Sequence, residues 1–238
     1  MLVPVAGIRC YLFPMWPPGT PRGILSLLVA TLRSLVVIAR TAPRGTVATG
    51  GYVSMPAAVA SWLLRVPLVL YLPDVVPGKA IRRLVPLARR IAVTAEDSRR
   101  YLPGDKTVVT GYPVRESFLR VSRASGRRRF GLPDDAVVLV VFGGSQGSRS
   151  INEALSACLP NVLADAHVIH ICGDQRRSEA EVAAAGLPVE LRPRYHLFPY
   201  LHDLDMAEAL AAADLALCRS GASILGELPA TGTPAVLV

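Results

Sequence analysis

The feature that most constrains the fold is the regular alternation of short apolar runs with helical segments from Thr46 onward. This alternation is typical of βαβ units, in which helices connect parallel strands and cover the sheet. The most apolar run, over 137–142, has the composition of a strand that is covered on both faces. The sequence therefore predicts an α/β fold built on parallel sheets.

A polar, basic segment over 121–129 interrupts this alternation and shows no periodicity. We therefore predict a linker there, between an N-terminal domain over 1–120 and a C-terminal domain over 130–238. Predicted strands lie at 46–49, 68–71, 90–94 and 107–110 in the first domain, and at 137–142, 168–172, 189–192 and 215–218 in the second. Each domain is expected to form its own parallel sheet.

Composition bounds the function without identifying it. Hydrophobic residues make up 51% and charged residues 18% of the 238 residues, which favours a globular protein over a disordered one. The formal net charge of +8 indicates an anionic partner, but nucleic acid, a nucleotide sugar and anionic lipid all satisfy it. The four cysteines and four histidines lack the spacing of metal ligands or of a disulfide framework, so we predict buried thiols, no metal and no cofactor.

Two turns rich in small residues carry the main functional signal. The segment Gly-Gly-Ser-Gln-Gly-Ser-Arg over 143–149 follows the strongest predicted strand, and Cys-Arg-Ser-Gly-Ala-Ser-Ile-Leu-Gly-Glu over 218–227 follows another apolar run. Each turn opens a helix, so backbone N–H groups and the positive end of a helix dipole point toward one place. Ser145 adds a hydroxyl donor, and Glu227 follows within reach. Together they suit a nucleotide sugar, with the N–H groups on the diphosphate and Glu227 on the ribose hydroxyls.

Each of these signals also has an ordinary structural interpretation. The turn over 143–149 lacks the Lys-Ser/Thr ending of a P-loop and, taken alone, is equally consistent with a packing turn. For Arg115, the residues alone favour a solvated surface arginine. A glutamate on a helix is also more often solvated than functional, and the position of Glu227 after an anion-binding turn shifts that balance without deciding it. The Asp203-Leu204-Asp205 triplet matches a metal-binding pattern of some glycosyltransferases, but we interpret Asp205 as the N-cap of a helix over 206–212.

The segment over 24–40 is long, helical in character and apolar on most sides, and Arg22, Arg33 and Arg40 accompany it. Its apolar part is shorter than the roughly 20 residues that a membrane-spanning helix needs. Two interpretations stay open. A core-packing helix is slightly favoured by the residues alone, and the alternative is an interfacial helix with arginines near anionic headgroups.

Several motifs, taken in order and spacing, resemble the MurG family, the bacterial N-acetylglucosaminyltransferases that convert lipid I to lipid II in peptidoglycan synthesis. The stretch GGYVSMP over 50–56 is similar to the family's GGYVSxP, and PVR over 113–115 to its NPVR. The turn over 143–149 is similar to its GGSQGAR, and the segment over 218–227 to its CRSGAxTxxE. The resemblance covers nearly the whole chain from about Gly45.

The resemblance implies a GT-B architecture of two Rossmann-like domains, with UDP-N-acetylglucosamine bound mainly by the second. It places Ser145 at the diphosphate, Arg115 near the nucleotide and Glu227 on the ribose. Leu201 matches the uracil-side position if one residue is inserted near Leu204. The full set of implied donor contacts is Asp74, Arg115, Ser145, Leu201, Ser220, Gly221, Ala222, Ser223, Ile224, Leu225 and Glu227.

The resemblance also turns the choice for the segment over 24–40 toward the interfacial helix. The positions corresponding to the family's base-rimmed apolar patch are Leu28, Leu32, Arg33, Leu35 and Trp62. The implied partners are UDP-N-acetylglucosamine, lipid I and the cytoplasmic face of the bacterial plasma membrane, without nucleic acid. The implied reaction is inverting and independent of a metal.

Three departures from the family pattern qualify this expectation. Tyr71-Leu72-Pro73-Asp74 stands where the family has His-Glu-Gln-Asn, so Asp74 replaces an asparagine that contacts the donor sugar. The family's GGTGGH loop, with its candidate catalytic histidine, and its later His-Gln…Asn segment have no counterpart here. We therefore expect a chain without both ends of the family's length, inactive by itself, whose catalytic base is unidentified. The alternatives are another GT-B enzyme (a diacylglycerol glycosyltransferase or a UDP-N-acetylglucosamine 2-epimerase) and a non-catalytic membrane-associated homologue.

Overall fold

The structure, a computed structural model, describes residues 7, 9–17, 19–144 and 146–238. The chain divides into two compact units, Met1–Gly111 and Tyr112–Val238, and each described unit is built on one parallel sheet. The α/β prediction is therefore confirmed. The division falls between Gly111 and Tyr112, which is earlier than the predicted linker over 121–129.

The first unit contains a four-stranded parallel sheet in the order β1-β2-β3-β4. Its strands are β1 (Thr46–Ala48), β2 (Leu68–Leu72), β3 (Arg90–Val93) and β4 (Thr107–Val109), and its helices are α1 (Pro21–Thr41), α2 (Met55–Leu63) and α3 (Lys79–Leu84). Short 3₁₀ turns occupy Tyr52–Ser54, Val85–Leu87 and Glu96–Tyr101. Apolar side chains of β2 and β3 form the core with residues of α2 and α3.

The second unit contains a five-stranded parallel sheet in the order β7-β6-β5-β8-β9. Its strands are β5 (Val138–Phe142), β6 (His167–Ile171), β7 (Tyr195–Phe198), β8 (Leu215–Cys218) and β9 (Ala235–Leu237). Its helices are α4 (Glu116–Arg120), α5 (Arg123–Phe130), α6 (Arg149–Asp165), α7 (Arg177–Ala185), α8 (Asp203–Ala212) and α9 (Ile224–Thr231). The residues of β5 contribute to two separate apolar clusters, because both faces of this central strand are covered.

Strand order explains where a ligand site belongs in the second unit. From β5 the chain runs outward through β6 and β7 on one side, and β8 and β9 then lie on the other side. Ligands of open α/β sheets bind beyond the carboxyl ends of the strands at such a reversal. The segments that follow β5 and β8 are the two turns singled out above.

The predicted linker over 121–129 was wrong, because most of it forms helix α5. Ser122 accepts a hydrogen bond from the Ser125 amide (3.1 Å), and the Ser125 hydroxyl accepts one from the Ser122 amide (3.0 Å), which is a reciprocal capping box. Helix α5 packs against α8, and Arg127 is buried. A helix rich in arginine lacks apolar periodicity, and for that reason the sequence pattern did not show it.

Three smaller predictions need correction. The strand predicted at 189–192 is instead β7, because the chain over 189–194 turns and Pro193 lies in a 3₁₀ turn. Helix α8 begins at Asp203 with His202 at the N-cap, so Asp205 lies inside the first turn, where it accepts a hydrogen bond from Arg129 (2.9 Å). The expectation of buried thiols holds for two cysteines only, since Cys10 and Cys158 are exposed.

Helix α1 is longer than its apolar segment suggested. The Thr20 hydroxyl accepts from the Gly23 amide (3.0 Å) at its start, and the left-handed Ala42 ends it after 21 residues. Within the described part of the chain, α1 is the one helix whose length and hydropathy would allow it to cross a membrane. That criterion is weak evidence, since core helices and signal sequences also meet it.

Candidate functional site

The two glycine turns line one hollow at the edge of the second sheet. Phe142, the last residue of β5, is paired in register with Cys218, the last residue of β8, so the segments that follow them emerge side by side. The hollow between them measures about 420 Å³. It is lined by Phe142, Gly143, Gly144, Gln146 and Gly147 from the first turn, by Arg219, Ser220, Gly221, Ser223 and Ile224 from the second, and by Val238. Ser145 lies outside the described residues.

The first turn requires glycine because it folds tightly against the end of β6. Gly147 has a φ of +76°, and a β-carbon there would lie 2.1 Å from the carbonyl oxygen of Cys172. A β-carbon on Gly143 would lie 2.2 Å from the Ser148 nitrogen. Only glycine allows this approach, which brings the start of α6 next to the hollow.

The second turn offers backbone donors. The Ser220 amide donates to Val238, the Leu225 amide donates to Ala222, and both the Gly226 and Glu227 amides donate to Ser223. The amides of residues 222–224 donate to no acceptor among the described residues. They stand at the start of α9, where unpaired N–H groups favour an anion.

A second hollow of about 170 Å³ adjoins the first and shares Phe142, Gly144 and Ser223 with it. Glu227, whose side chain is 14% exposed, lies in its wall with Arg115 and Leu201. The other residues lining it are Ile171, Tyr200 and Met206. A carboxylate therefore stands in the wall of a hollow that adjoins the amide-lined one.

Arg115 orients Glu227. Its Nη2 lies 3.1 Å from Oε1 of Glu227, its Nη1 lies 3.4 Å from Oδ1 of Asp203, and its guanidinium stacks 4.8 Å above the Phe118 ring. Ser117 donates to the same Asp203 carboxylate (2.7 Å). The sequence analysis missed Asp203 as a neighbour of the site. The available signal was an acidic residue two positions after Leu201, at the start of a helix.

The structure brings most of the predicted donor residues together. Those that line one of the two hollows are Arg115, Leu201, Ser220, Gly221, Ser223, Ile224 and Glu227. Ala222 belongs to the second turn through its backbone, whereas the Leu225 side chain points into a different, shallower depression beside Pro229 and Leu237. Asp74 belongs to the first unit, where it follows β2 and is exposed, and Leu72 is buried in that unit's core.

Three of the four histidines are neutral packing residues, and the fourth, His202, is exposed at the N-cap of α8. Burial lowers the pKa of His170 to about 4 and also lowers the pKa values of His167 and His196, whose rings stack 5.8 Å apart. Within the described ranges, no group of three or more His, Cys, Asp or Glu side chains is placed to hold a metal ion. The chemistry of the hollow therefore rests on backbone amides, Arg115 and Glu227.

Comparison with known proteins agrees with this geometry. Residues 138–238 match the glycosyltransferase family 28 C-terminal domain. The UDP-N-acetylglucosamine–N-acetylmuramyl-(pentapeptide) pyrophosphoryl-undecaprenol N-acetylglucosamine transferase of Roseiflexus sp. is 44% identical over 91% of this chain and 56% of its own length. The chain thus spans little more than half the length of such relatives.

Two solved structures have a similar fold. The crystal structure of Acinetobacter baumannii MurG matches 100% of this chain and 66% of its own, with a TM-score of 0.73 and 24% identity. A UDP-GlcNAc 2-epimerase from Neisseria meningitidis, bound to UDP-GlcNAc, matches 94% of this chain and 66% of its own, with a TM-score of 0.66 and 17% identity.

The fold is that of GT-B glycosyltransferases such as MurG, and the resemblance seen in the sequence is confirmed. More narrowly, 91% of the chain is similar in sequence to a MurG-type N-acetylglucosamine transferase, and its second unit matches the glycosyltransferase family 28 C-terminal domain.

Proposed function

We propose that this chain serves the transfer of N-acetylglucosamine from UDP-N-acetylglucosamine to the muramoyl 4-hydroxyl of lipid I, which forms lipid II. The observation that carries the proposal is the shared hollow of two amide-lined turns, with Glu227 in the adjoining wall. In this assignment the first unit faces the acceptor and the membrane, and the second unit binds the donor. The activity named for the Roseiflexus relative supports it.

The residues of the second unit are assigned to the departing nucleotide. Amides of the two turns, and the hydroxyl of Ser145, stabilise the diphosphate charge that develops as the anomeric carbon is attacked with inversion. Arg115 holds the Glu227 carboxylate toward the ribose hydroxyls, and Leu201 lies on the uracil side. Asp74 of the first unit accepts hydrogen bonds from the donor sugar. A general base removes the acceptor proton, and no residue of this chain is assigned to that role.

The direct test is calorimetric titration of the chain with UDP, with ADP and CDP as competitors. Binding of UDP in preference to both is expected. Transfer from labelled UDP-N-acetylglucosamine is then measured with lipid I and with diacylglycerol as acceptors, and no product is expected from this chain by itself. A product with diacylglycerol alone would indicate a diacylglycerol glycosyltransferase. Epimerised UDP-sugar formed without an acceptor would indicate a UDP-N-acetylglucosamine 2-epimerase, and either result would contradict the proposed activity.

Glu227→Ala is expected to weaken UDP binding by a factor of about 10–50, since a charged group loses its hydrogen bonds to ligand. Removal of the 2′-hydroxyl from the ligand should cost the wild-type chain a similar factor. A double-mutant cycle with 2′-deoxy-UDP then measures the coupling. If Glu227 binds the ribose hydroxyls, the loss of affinity caused by the mutation and the loss caused by the missing 2′-hydroxyl are not additive.

Glu181→Ala is the matched control, because Glu181 is an exposed acid of α7 paired with Arg177 and lies outside both hollows. Additive losses in the cycle, or equal affinities of the Glu227 and Glu181 variants, would show that Glu227 serves only as the partner of Arg115.

The first unit supports a proposal of membrane contact through α1. Apart from Ile38, the residues that the helix buries are small, and most of its large apolar side chains turn outward: Ile24, Leu25, Leu28, Val29, Leu32 and Val36 are exposed. Arg33 is exposed on the same side and Leu35 is half-buried. Helix α2 packs against α1 and exposes Trp62. An outward apolar face with arginines beside it suits the surface of an anionic bilayer on the cytoplasmic side.

Leu28→Glu with Leu32→Glu is expected to reduce binding to phosphatidylglycerol vesicles by a factor of at least about 100, since the two buried leucines together contribute about 3–6 kcal/mol. Co-sedimentation with vesicles measures the loss. Val182→Glu is the control, since Val182 is an exposed apolar residue of α7 in the other unit. Vesicle binding that survives the double change would exclude this face.

A further inference from the structure

A chain of buried polar groups crosses the second sheet beneath the first glycine turn. The Tyr195 hydroxyl lies 2.7 Å from Nδ1 of His170, and Nε2 of His170 lies 3.2 Å from Oδ1 of Asn152. The Asn152 amide nitrogen donates to the Cys172 carbonyl (2.8 Å). The links therefore run from β7 through β6 to α6 and back to the end of β6.

Hydrogen-bond chemistry fixes the direction of every link. Because Nδ2 of Asn152 donates to Cys172, its Oδ1 must accept, and the proton facing it has to be on Nε2 of His170. Nδ1 is then the acceptor for the Tyr195 hydroxyl. His170 is 1% exposed and Asn152 is also buried, so no bulk water competes for these groups. Of the two neutral tautomers of His170, only the Nε2–H form satisfies both neighbours.

The last group in this hydrogen-bonded series, the Cys172 carbonyl, contacts the first glycine turn. The Cys172 carbonyl that accepts from Asn152 is the same oxygen that Gly147 approaches so closely that no β-carbon fits. Asn152 itself lies in the first turn of α6, and its backbone amide donates to Ser148. One side chain thus ties the end of β6 to the helix start that follows the turn.

We propose that His170 is a positioning residue: with Tyr195 and Asn152 it holds Gly147 and Ser148, at the end of the first glycine turn, in the position that suits anion binding. That this position serves UDP binding rests on the proposed function above. His170 does not touch the ligand, since its ring lies within the core. It acts by fixing the orientation of the Asn152 amide, which in turn fixes the Cys172 carbonyl under Gly147.

The experiment compares three variants of the chain. His170→Leu removes both links, Tyr195→Phe removes only the outer hydroxyl, and Ile169→Val is a control at a buried apolar position of the same strand. Hydrogen exchange of the Gly147 amide, which donates to Gly144, reports on the turn without any ligand. Nitrogen chemical shifts of His170 report on its tautomer, and calorimetry reports on UDP affinity.

In the wild-type chain we expect the Nε2–H tautomer of His170. His170→Leu should accelerate Gly147 exchange and weaken UDP binding, each roughly tenfold, the equivalent of one net hydrogen bond. Tyr195→Phe removes only the donor to Nδ1, so the Nε2–H tautomer should persist, because Oδ1 of Asn152 still requires that proton, and Gly147 exchange should change less than in His170→Leu. Ile169→Val should change none of these once global stability is accounted for.

Two results would overturn the proposal. One is an Nδ1–H tautomer in the wild-type chain, and the other is equal Gly147 exchange in the His170→Leu and Ile169→Val variants. A wild-type chain that fails to bind UDP, but whose Gly147 exchange responds to His170→Leu, would refute the proposed function and support the positioning role.

Discussion

Arg127→Met is expected to lower the free energy of unfolding of the second unit by about 3 kcal/mol. The Arg127 side chain is 2% exposed and donates to the carbonyls of Pro133, Asp134 and Ala136, which precede β5. It also pairs with Asp214 (3.1 Å), whose carboxylate accepts from the Val138 amide (2.9 Å). Methionine fills the space but leaves those carbonyls without a donor.

The measurement must report on the second unit alone. Both tryptophans of the chain, Trp16 and Trp62, lie in the first unit, so their fluorescence follows that unit and provides an internal reference. Hydrogen exchange of the β5 amides in urea follows the second unit. Arg128→Met is the matched control, since Arg128 is the next residue of α5 and is exposed. It should cost no more than about 0.5 kcal/mol, and an equal loss in both variants would contradict the assigned role of Arg127.

Gly147→Ala is expected to weaken UDP binding by a factor of about 100, or about 2.7 kcal/mol. Alanine is strained at a φ of +76°, and its β-carbon would lie 2.1 Å from the Cys172 oxygen. Backbone oxygen cannot rotate away as a side chain can. The turn must therefore lift from β6 and withdraw its amides from the hollow. Calorimetric titration with UDP measures the loss.

Gly131→Ala is the control that distinguishes displacement of the turn by a new β-carbon from the backbone strain of alanine at a positive φ. Gly131 also has a positive φ (+64°), but no atom lies within 4 Å of its β-carbon position, and it ends α5 away from both hollows. That variant should lose about 1 kcal/mol of stability and keep its UDP affinity. If both variants lose affinity equally, general destabilisation explains the effect and the close packing of the turn does not.

The sequence predicted secondary structure well where the local pattern of residues has the same cause as their place in the folded structure. The strand at 138–142 is apolar because both of its faces are covered, and the glycines after it are required by the turn itself. Tyr195 and His196 in β7 are instead half-buried polar residues, the first hydrogen-bonded to His170 and the second stacked on His167, and periodicity does not detect such a strand. The burial of Arg127 could not be predicted from the sequence either, because the exposed neighbours at 128 and 129 are also arginines.

By itself, the sequence determined that this is an α/β chain with two strand-to-helix turns able to receive an anion, because apolar alternation and small residues act locally. Only the tertiary structure decided that the two turns meet, since that depends on β5 pairing with β8 across more than seventy intervening residues. It also decided that Arg115 holds Glu227, that Arg127 is buried, and that α1 turns its large side chains outward. The physical reason is that a helix or strand has several faces that its local sequence leaves equivalent. Residues far away in the sequence decide, by packing against one face, which of them is buried.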